Sequence, residues 1–385
     1  MKKSTLAILL AGTLPFACVG KKKGEDEEGP SKDPVEDPST GDQNPDQGEE
    51  GPVKIVPEDS SPSLKGSSYA LVNTTTGTKQ KIAAITASGV YLGQIESNNT
   101  ISYDRWISED LAGNLNERPV AFADVNGDGA DDLVYFGGAA TFVGLASADS
   151  FGELAVWSAE FGQQSSDLAY ESQDLHPRFL ADANGDGLAD ILACHSQSCI
   201  YALSTGSSFA LSVAAIRDFA RNADGTTSDL GWSSMTTFPR NFVDIDGDKQ
   251  ADIVGFGERG LWVSTNDDLS FIPKEESAAG LPLLRAFATD QGWTNSKTSP
   301  RFMADVDADG KADVVGIKDG VLSISLAANN FAAIDYTTNL AAEFNAILAA
   351  SSSQVLVGDV VGDAGLEIIV VDRLGEVSTT PIILP

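Results

Sequence analysis

Four acidic segments recur at nearly even spacing along the chain, and this repeat constrains the fold more than any other feature. The segments are PVAFADVNGDGADDLVYFGG, PRFLADANGDGLADILACHS, PRNFVDIDGDKQADIVGFGE and PRFMADVDADGKADVVGIKD. Their first aspartates, Asp124, Asp182, Asp244 and Asp305, are 58, 62 and 61 residues apart. A period of this size predicts a propeller or a solenoid, in which each unit buries its apolar face against the next unit.

Two weaker copies of the segment extend the array to six units. QVLVGDVVGDAGLEIIVVDR begins its loop at Asp359, and YALVNTTTGTKQKIAAITAS has Asn73 at the first loop position. Within a unit, short stretches of apolar or alternating residues, such as 301–304 and 321–326, predict β-strands. Four strands per unit predict an all-β fold, a single β-propeller of four-stranded blades. Six blades account for residues 53–385, and seven is the alternative, with one unit too degenerate to recognise.

The last unit indicates how the ring closes. It has three predicted strands, near 354–358, 367–371 and 375–383, without a fourth. The segment Val53-Lys54-Ile55-Val56 precedes the first unit and is the candidate for the missing outer strand. We therefore expect the two ends of the propeller to meet in one blade.

The first 52 residues have a different character from the repeats. Two lysines precede a short apolar run, and Cys18 follows a small residue, so that residues 1–17 resemble a bacterial lipoprotein signal peptide. The resemblance implies lipidation of Cys18 and a place in the outer membrane, on its surface or its periplasmic face. Secretion without lipidation and an uncleaved anchor are the alternatives, although the run is short for a membrane span. Residues 18–52, rich in Pro, Gly, Asp and Glu, predict a disordered acidic tether.

The charge balance and the scarcity of cysteine and histidine exclude several function classes. The chain has 56 Asp and Glu residues against 25 Lys and Arg residues, a formal net charge of −31. This balance argues against nucleic acid and against docking of the folded body on anionic lipid, so we expect membrane contact through the lipid anchor only. Three cysteines and two histidines leave little material for zinc, iron–sulfur or thiol chemistry.

The acidic loops predict metal sites. Counted from the first aspartate, each loop has side-chain oxygens at positions 1, 3, 5 and 9 and a backbone carbonyl at position 7, a ligand density that suits Ca²⁺. The candidate ligands are Asp124, Asn126, Asp128, Asp132, Asp182, Asn184, Asp186, Asp190, Asp244, Asp246, Asp248, Asp252, Asp305, Asp307, Asp309 and Asp313. We therefore expect about four calcium ions in these four strong loops.

The loops of the last and first units depart from this pattern. The last loop retains Asp359, Asp363 and Glu367 but has Val361 at position 3, so we expect a weak or empty fifth site. In the first unit, the four ligand positions are occupied by Asn73, Thr75, Gly77 and Lys81. A lysine at a ligand position predicts a turn without metal.

Ordinary β-turns and helical calcium-binding hands account less well for the acidic loops. Asp, Asn and Gly are common in β-turns, but four matching loops at regular spacing exceed what turns alone require. A helical calcium-binding hand needs a glutamate at position 12 and flanking helices. Position 12 is occupied here by Tyr135, Ala193, Gly255 and Gly316, all within predicted strands.

With these motifs, the repeats resemble FG-GAP, or VCBS-type, repeats of calcium-binding β-propellers, the family that includes the head of integrin α chains. The resemblance covers roughly residues 67–385. Units four and five, with GW followed by PRNF or PRF, resemble repeats of mushroom lectins of the Psathyrella velutina type. That resemblance implies N-acetylglucosamine-type sugars held between blades, with Trp232, Trp293 and His176 as candidate ligand contacts. These lectins have a histidine before the Pro-Arg pair, as at His176, whereas the other units have Arg118, Phe238 and Ser299 there.

Large aromatic and basic residues at repeated positions also have a structural interpretation. Trp106, Trp232 and Trp293 suit packing between blades as well as stacking on a sugar. Arginines recur at one blade position, and we expect them to tie blades together through carbonyls or acids; they are Arg178, Arg240 and Arg301.

Cys194 and Cys199 flank four polar residues between two predicted strands, a common hairpin loop length. Their opposed positions, together with export from the reducing cytosol, predict a disulfide between them. Two free thiols and a metal site with His195 are the alternatives.

Together these features predict a monomeric cell-surface lipoprotein whose calcium-stabilised propeller binds a glycan or a protein ligand without catalysis. A structural role in an envelope assembly is the second hypothesis. An enzyme acting on polysaccharide is the third, although glycosidases need two carboxylates poised across a cleft and the patterned carboxylates are assigned to metal. The sequence shows no nucleophile–base pair and no phosphate loop.

Overall fold

The computed structural model describes most of the repeat region. The described residues are 68–74, 79–86, 89–96, 101–107, 117–147, 150–164, 170–220, 232–274, 282–348, 353–362, 365–372 and 377–384. The predicted signal peptide, Cys18, the tether and the candidate strand 53–56 lie outside them. Among the described residues, no helix has both the length and the apolar character needed to cross a bilayer.

The described strands form five four-stranded antiparallel sheets, one three-stranded sheet and a two-stranded ribbon. Blade 1 contains β1 (Ser68–Val72), β2 (Lys81–Thr86), β3 (Gly89–Ile95) and β4 (Ile101–Ile107). Blade 2 contains β5 (Val120–Ala123), β6 (Asp132–Phe136), β7 (Thr141–Gly144) and β10 (Ala155–Ser158), and the ribbon of β8 (Ala146–Ser147) and β9 (Ser150–Phe151) precedes β10. Blade 3 contains β11 (Arg178–Ala181), β12 (Asp190–Cys194), β13 (Cys199–Ala202) and β14 (Val213–Ile216).

The remaining blades follow the same plan. Blade 4 contains β15 (Arg240–Val243), β16 (Asp252–Phe256), β17 (Leu261–Asp267) and β18 (Ser270–Pro273). Blade 5 contains β19 (Arg301–Ala304), β20 (Asp313–Lys318), β21 (Val321–Ser325) and β22 (Tyr336–Asn339). Blade 6 contains β23 (Gln354–Gly358), β24 (Glu367–Val371) and β25 (Val377–Pro381). The prediction of a six-bladed β-propeller is confirmed, and among the described residues the sixth blade has the three predicted strands.

Neighbouring blades cover both faces of the second strand in each blade, which explains why its sequence is largely apolar. The strands β6, β12, β16 and β24 are buried at every residue and read DLVYF, DILAC, DIVGF and EIIVV. Such continuous runs of apolar, often β-branched residues suit a strand that is covered on both faces. The core is accordingly divided into six apolar clusters of described residues, one between each pair of neighbouring blades.

The sixth cluster closes the ring, because it joins the last blade to the first. Ile82 and Ala84 of β2 pack in it with Ile369 and Val371 of β24. Hydrogen bonds between inner strands follow the same seam. The side-chain amide of Gln354 accepts from the Tyr69 backbone N–H (2.8 Å) and donates to the Tyr69 carbonyl (2.6 Å).

Among the described residues one α-helix interrupts the strands, α1 (Ala342–Leu348), and it was not predicted from the sequence. Its sequence, AEFNAIL, is rich in residues that favour helix. Phe344 and Leu348 are four residues apart, so they lie on one helix face, and both pack into the cluster between blades 5 and 6. The helix thus buries apolar surface at the edge of that interface. Two short 3-10 helices, Thr289–Gln291 and Ala327–Asn329, complete the described helical segments.

Candidate functional site

Each acidic loop connects the first strand of a blade to the second. The carboxylate of its first aspartate accepts hydrogen bonds from backbone N–H groups of the same loop. In blade 3, Asp182 accepts hydrogen bonds from the backbone N–H groups of Gly185 (2.7 Å) and Gly187 (2.8 Å). Both glycines have positive φ, 78° and 86°, a backbone conformation that favours glycine. The NGDG motif therefore makes a tight turn that directs N–H groups at the position-1 carboxylate. Asp124 of blade 2 and Asp244 of blade 4 accept bonds from their own loops in the same way.

The position-9 aspartate is fully buried in all four strong loops and ties the loop to the third strand. Both oxygens of Asp190 accept backbone N–H bonds, one from Ala183 in the loop (2.9 Å) and one from Ser204 after β13 (2.6 Å). The equivalent bonds recur at Asp132, Asp252 and Asp313. The predicted ligand at position 9 thus also joins its loop to the end of the third strand by hydrogen bonds, a role that the sequence spacing did not indicate.

Burial raises the pKa of each position-9 carboxyl, to about 6 for Asp132, about 7 for Asp190 and Asp313, and about 8 for Asp252. Neighbouring carboxylates of the same loop raise the pKa further, and the backbone hydrogen bonds partly oppose the shift. A buried anion beside other anions is costly without a compensating charge. These loops consequently offer a cation both oxygen ligands and a charge to neutralise.

The loops of blades 4 and 5 fit one divalent cation each. Carboxylate oxygens of Asp244, Asp246 and Asp252 lie within 4.8 Å of one another, and so do those of Asp305, Asp307 and Asp309. Ligand oxygens at about 2.3–2.6 Å from a calcium ion are separated by distances up to roughly twice that value. Three oxygens in each of these loops can therefore reach a common ion.

In the loops of blades 2 and 3, an asparagine replaces the carboxylate at position 3, and its amide is bonded within the loop. Asn126 accepts from the Asp128 N–H (2.9 Å) and donates to the Asp128 carboxylate (3.0 Å). Asn184 makes the same pair of bonds with Asp186, at 3.1 Å and 3.0 Å. These loops hold three carboxylates instead of four, and the amide oxygen remains the predicted fourth side-chain ligand.

The structure describes the last and first loops in part. Glu367 reaches back to accept the N–H of Val360 (2.9 Å), as position 9 does elsewhere, while the Val361 side chain is 61% exposed. Asp363, Thr75 and Gly77 lie outside the described residues. Asn73 bonds to the next blade: its N–H and side-chain amide both donate to the buried carboxylate of Asp131, at 2.8 Å and 3.3 Å. Occupancy of the fifth site stays a prediction.

The candidate ligand contacts lie at the other end of the inner strands and are buried. Trp232 is 2% exposed, stacks on Phe219 with ring centroids 5.1 Å apart, and lies against Gly255, where an added Cβ would be 2.2 Å from the indole. Trp293 is 5% exposed and packs on Phe287, again against a glycine, Gly316. In this arrangement both indoles pack between blades. His176 is also buried, and the side chain of Trp106 lies outside the described residues.

The repeated arginines bind backbone carbonyls between blades, which confirms their predicted role. Arg178 donates to the carbonyls of Phe161 (3.0 Å) and Glu117 (2.7 Å). Arg301 donates to those of Phe287 (3.0 Å) and Thr237 (2.9 Å), and Arg240 to that of Phe219 (2.6 Å). The three guanidinium groups are buried, and their burial lowers the pKa of each to about 9.

Cys194 and Cys199 are directly paired at the end of the β12–β13 hairpin, and the structure joins their sulfurs in a disulfide. Both residues are fully buried in the cluster between blades 3 and 4. His195 lies in the turn, where its ring is hydrogen-bonded to Ser198 (3.1 Å). The disulfide thus fixes one hairpin at the end of the blade opposite the acidic loop.

Polar residues that connect one loop to the next were not predicted from the sequence. Ser204 and Asn266 each follow a position-9 aspartate by 14 residues and are buried. Their side chains donate to carbonyls of the preceding blade, Val125 for Ser204 and Ala183 for Asn266, both at 2.7 Å. The available signal was a polar residue 14 positions after the position-9 aspartate, and in blade 4 it lies within a polar run, STND.

Among the solved structures that match the chain, two are most informative. An Agrocybe aegerita lectin, described as specifically recognising non-reducing terminal N-acetylglucosamine, aligns with a TM-score of 0.61 and 24% identity over 82% of this chain and 80% of that chain. A Photorhabdus luminescens Tc holotoxin pore aligns with a TM-score of 0.51 and 16% identity over 81% of this chain, which spans only 14% of the toxin chain. At these identities the likeness shows the β-propeller fold. No family model and no curated protein matches the chain.

Proposed function

We propose that this protein is a non-enzymatic recognition module whose β-propeller is stiffened by Ca²⁺ and binds a glycan at the cell surface. The observation that carries the proposal is the likeness to the Agrocybe aegerita lectin, which extends over about four fifths of both chains. The GW and PR motifs resemble lectin repeats in sequence, but their tryptophans and arginines are buried between blades and are not assigned as sugar contacts. N-acetylglucosamine-terminated glycans are the first candidates, and a protein ligand is the alternative.

The calcium component of the proposal is supported by the loops themselves. Four loops share the same ligand spacing, and in two of them three carboxylates are close enough to hold one ion. When bound, the ion supplies charge neutralisation and oxygen cross-linking within the loop. We assign it a structural role, because the loops lie at the end of the inner strands opposite the GW and PR motifs.

The hydrogen bonds already made by the loop carboxylates favour a binding function over glycoside hydrolysis. A glycosidase needs an acid and a second carboxylate poised across a cleft. Among the described residues, both oxygens of each position-9 carboxylate accept backbone hydrogen bonds, and the position-1 carboxylates are bonded within their own loops. These carboxylates are therefore committed to loop structure, which supports recognition without catalysis.

The proposed location follows from the N-terminal sequence. A lipid on Cys18 anchors the chain in the outer membrane, and the acidic tether holds a monomeric propeller away from the membrane surface. Metabolic labelling with a fatty acid tests this part, with Cys18→Ser as the matched control that should lose the label.

A glycan array probed with the calcium-loaded protein tests the function. We expect selective binding to glycans that end in N-acetylglucosamine and loss of binding when a galactose caps that sugar. Protein treated with chelator is the control for the calcium requirement. No selective signal on the array, together with capture of a defined protein ligand, would replace the glycan with a protein partner.

A further inference from the structure

Successive loops of the propeller are hydrogen-bonded to one another through their backbones. The N–H at loop position 8 donates to the carbonyl of the position-1 residue in the preceding blade. This bond links Ala189 to Asp124 (2.8 Å), Ala251 to Asp182 (2.7 Å) and Ala312 to Asp244 (2.8 Å). Each acceptor is also the first predicted ligand of its loop, so that the following blade holds the backbone of a metal ligand.

A second link passes through side chains, and only some blades have it. Ser204 donates its N–H to Asp190 in its own blade and its hydroxyl to the Val125 carbonyl in the loop of blade 2. Asn266 likewise donates its N–H to Asp252 and its side-chain amide to the Ala183 carbonyl in the loop of blade 3. Each of the two residues therefore touches the position-9 ligand of one loop and position 2 of the preceding loop.

In blade 5, the position equivalent to Ser204 and Asn266 is occupied by Ala327, which allows a comparison within the same chain. Ala327 donates its N–H to Asp313 (2.8 Å), as Ser204 and Asn266 do to their own aspartates, but it has no side-chain donor. The side-chain link consequently joins blades 2 to 3 and 3 to 4, and among the described residues no such link joins blades 4 and 5. Loop pairs with and without the link can be compared in one molecule.

We propose that Ser204 and Asn266 are positioning residues that couple neighbouring acidic loops, so that blades 2, 3 and 4 take up calcium cooperatively. This inference rests on the calcium binding proposed above. An ion bound in the blade 3 loop holds Asp190 and, through it, the backbone of Ser204. The Ser204 hydroxyl then holds position 2 of the blade 2 loop, beside its first ligand, Asp124. A loop that is already ordered loses less freedom when its own ion binds, which is positive coupling between sites.

The coupling is measured by hydrogen–deuterium exchange during a calcium titration, because peptides from residues 117–131 report the blade 2 loop alone. Asp186→Ala disables the blade 3 loop. In the otherwise unchanged protein, we expect it to raise the calcium midpoint of the blade 2 loop about fivefold, the effect of one hydrogen bond on an equilibrium constant. In a Ser204→Ala background, we expect Asp186→Ala to shift that midpoint much less, because only the backbone bond from Ala189 to Asp124 then joins the two loops. Such non-additivity is the readout that a merely structural role would not produce.

Matched variants control for general damage to blades 3 and 4. Thr205→Ala removes a neighbouring hydroxyl that bonds only to Ser208 within its own turn, and it should keep the coupling. Asn266→Ser places at blade 4 the side chain that blade 3 uses, and it should keep coupling between blades 3 and 4 where Asn266→Ala loses it.

The outcomes separate the coupling from the calcium sites. A blade 2 midpoint that does not respond to Asp186→Ala in the otherwise unchanged protein overturns the coupling, whatever the stability of the Ser204 variant. Native mass spectrometry that shows calcium bound with a statistical distribution of ion numbers also overturns the coupling and leaves the calcium sites standing. A protein that binds no calcium overturns both.

Discussion

The backbone N–H of Gln80 donates to the carbonyl of Asp359 at 2.8 Å, and this bond joins the first blade to the last. Gln80 and Asp359 occupy loop positions 8 and 1 of their units, the same positions that Ala189 and Asp124 occupy between blades 3 and 2. The Gln80 side chain returns a bond by accepting the Asp359 N–H at 3.1 Å. The seam therefore repeats the contact used between other blades, although the first loop lacks the acidic ligands.

Removing the Gln354 amide should destabilise the propeller at this seam. Gln354→Ala leaves the N–H and the carbonyl of Tyr69 without the partners they have in the structure. We expect a loss of about 1–3 kcal/mol in the free energy of unfolding, measured by urea denaturation. Gln291→Ala is the matched control, because its amide bonds only to the exposed Asp290, and it should change stability by less than about 0.5 kcal/mol. Equal effects of the two substitutions would contradict the importance of the seam.

Asp246→Ala should weaken calcium binding more than Asn126→Ala does. Asp246 is one of three carboxylates that reach a common point in blade 4, whereas the Asn126 amide is bonded to Asp128 within its own loop. The first change removes a charged ligand and the second a neutral one. Native mass spectrometry at increasing calcium concentration counts the bound ions. An ion lost more readily from the Asn126 variant than from the Asp246 variant would reverse the predicted order.

The metal-free protein should become less stable as the pH rises from about 5 to 8. Burial raises the folded-state pKa of Asp190 to about 7 and of Asp252 to about 8, whereas an unfolded aspartate has a pKa of about 3.9. Between these values the folded state holds protons that the unfolded state has released, so the free energy of unfolding falls as pH rises. The loss should be complete above the folded-state pKa values.

Calcium should reverse this dependence, because the ion stabilises the ionised carboxylates and competes with protons. Urea denaturation at pH 5 and pH 8, with calcium and with chelator, measures both slopes. Repulsion among the other acidic residues acts both with calcium and with chelator. The difference between the two pH dependences therefore measures the contribution of the acidic loops. Chelated protein that gains stability toward pH 8 would contradict the assignment.

The sequence predicted the blades well because each one carries its own copy of the signal. The spacing of Asp124, Asp182, Asp244 and Asp305 reflects one blade per repeat, and the apolar second strand follows directly from burial on both faces. Six blades and a last blade with three described strands follow from that repeat. Because each blade has its own copy of the motif, counting the motifs in the sequence gives the number of blades.

The connections between blades could not be predicted, because they join residues that are far apart in the sequence. Gln354 and Tyr69 are separated by 285 residues, and Asn266 and Ala183 by 83. The burial of Trp232 and Trp293 depends on glycines about 23 residues further along, and the aromatic motif alone suited a sugar equally well. Side-chain roles that depend on the neighbouring blade appear only when the blades are placed side by side.

Cys194 and Cys199 should be recovered as a disulfide from protein isolated from the cell envelope. They are paired residues in adjacent strands, and the bond closes a short loop, so its contribution to stability should stay below about 3 kcal/mol. Peptide mass mapping without reductant detects the linked peptide. The Cys194→Ser and Cys199→Ser double variant should fold with a modestly lower melting temperature. Recovery of both cysteines as alkylatable thiols would contradict the prediction.

Thermal melting with calcium and with chelator tests the central claim most directly, that the acidic loops stabilise the propeller by binding calcium. A ligand bound only by the folded state stabilises it by about 2.7 kcal/mol per site at a hundredfold excess over its dissociation constant. With four strong loops, we predict a large rise in melting temperature on adding calcium and a return to the lower value with chelator. Superimposable melting curves in calcium and in chelator would contradict this claim.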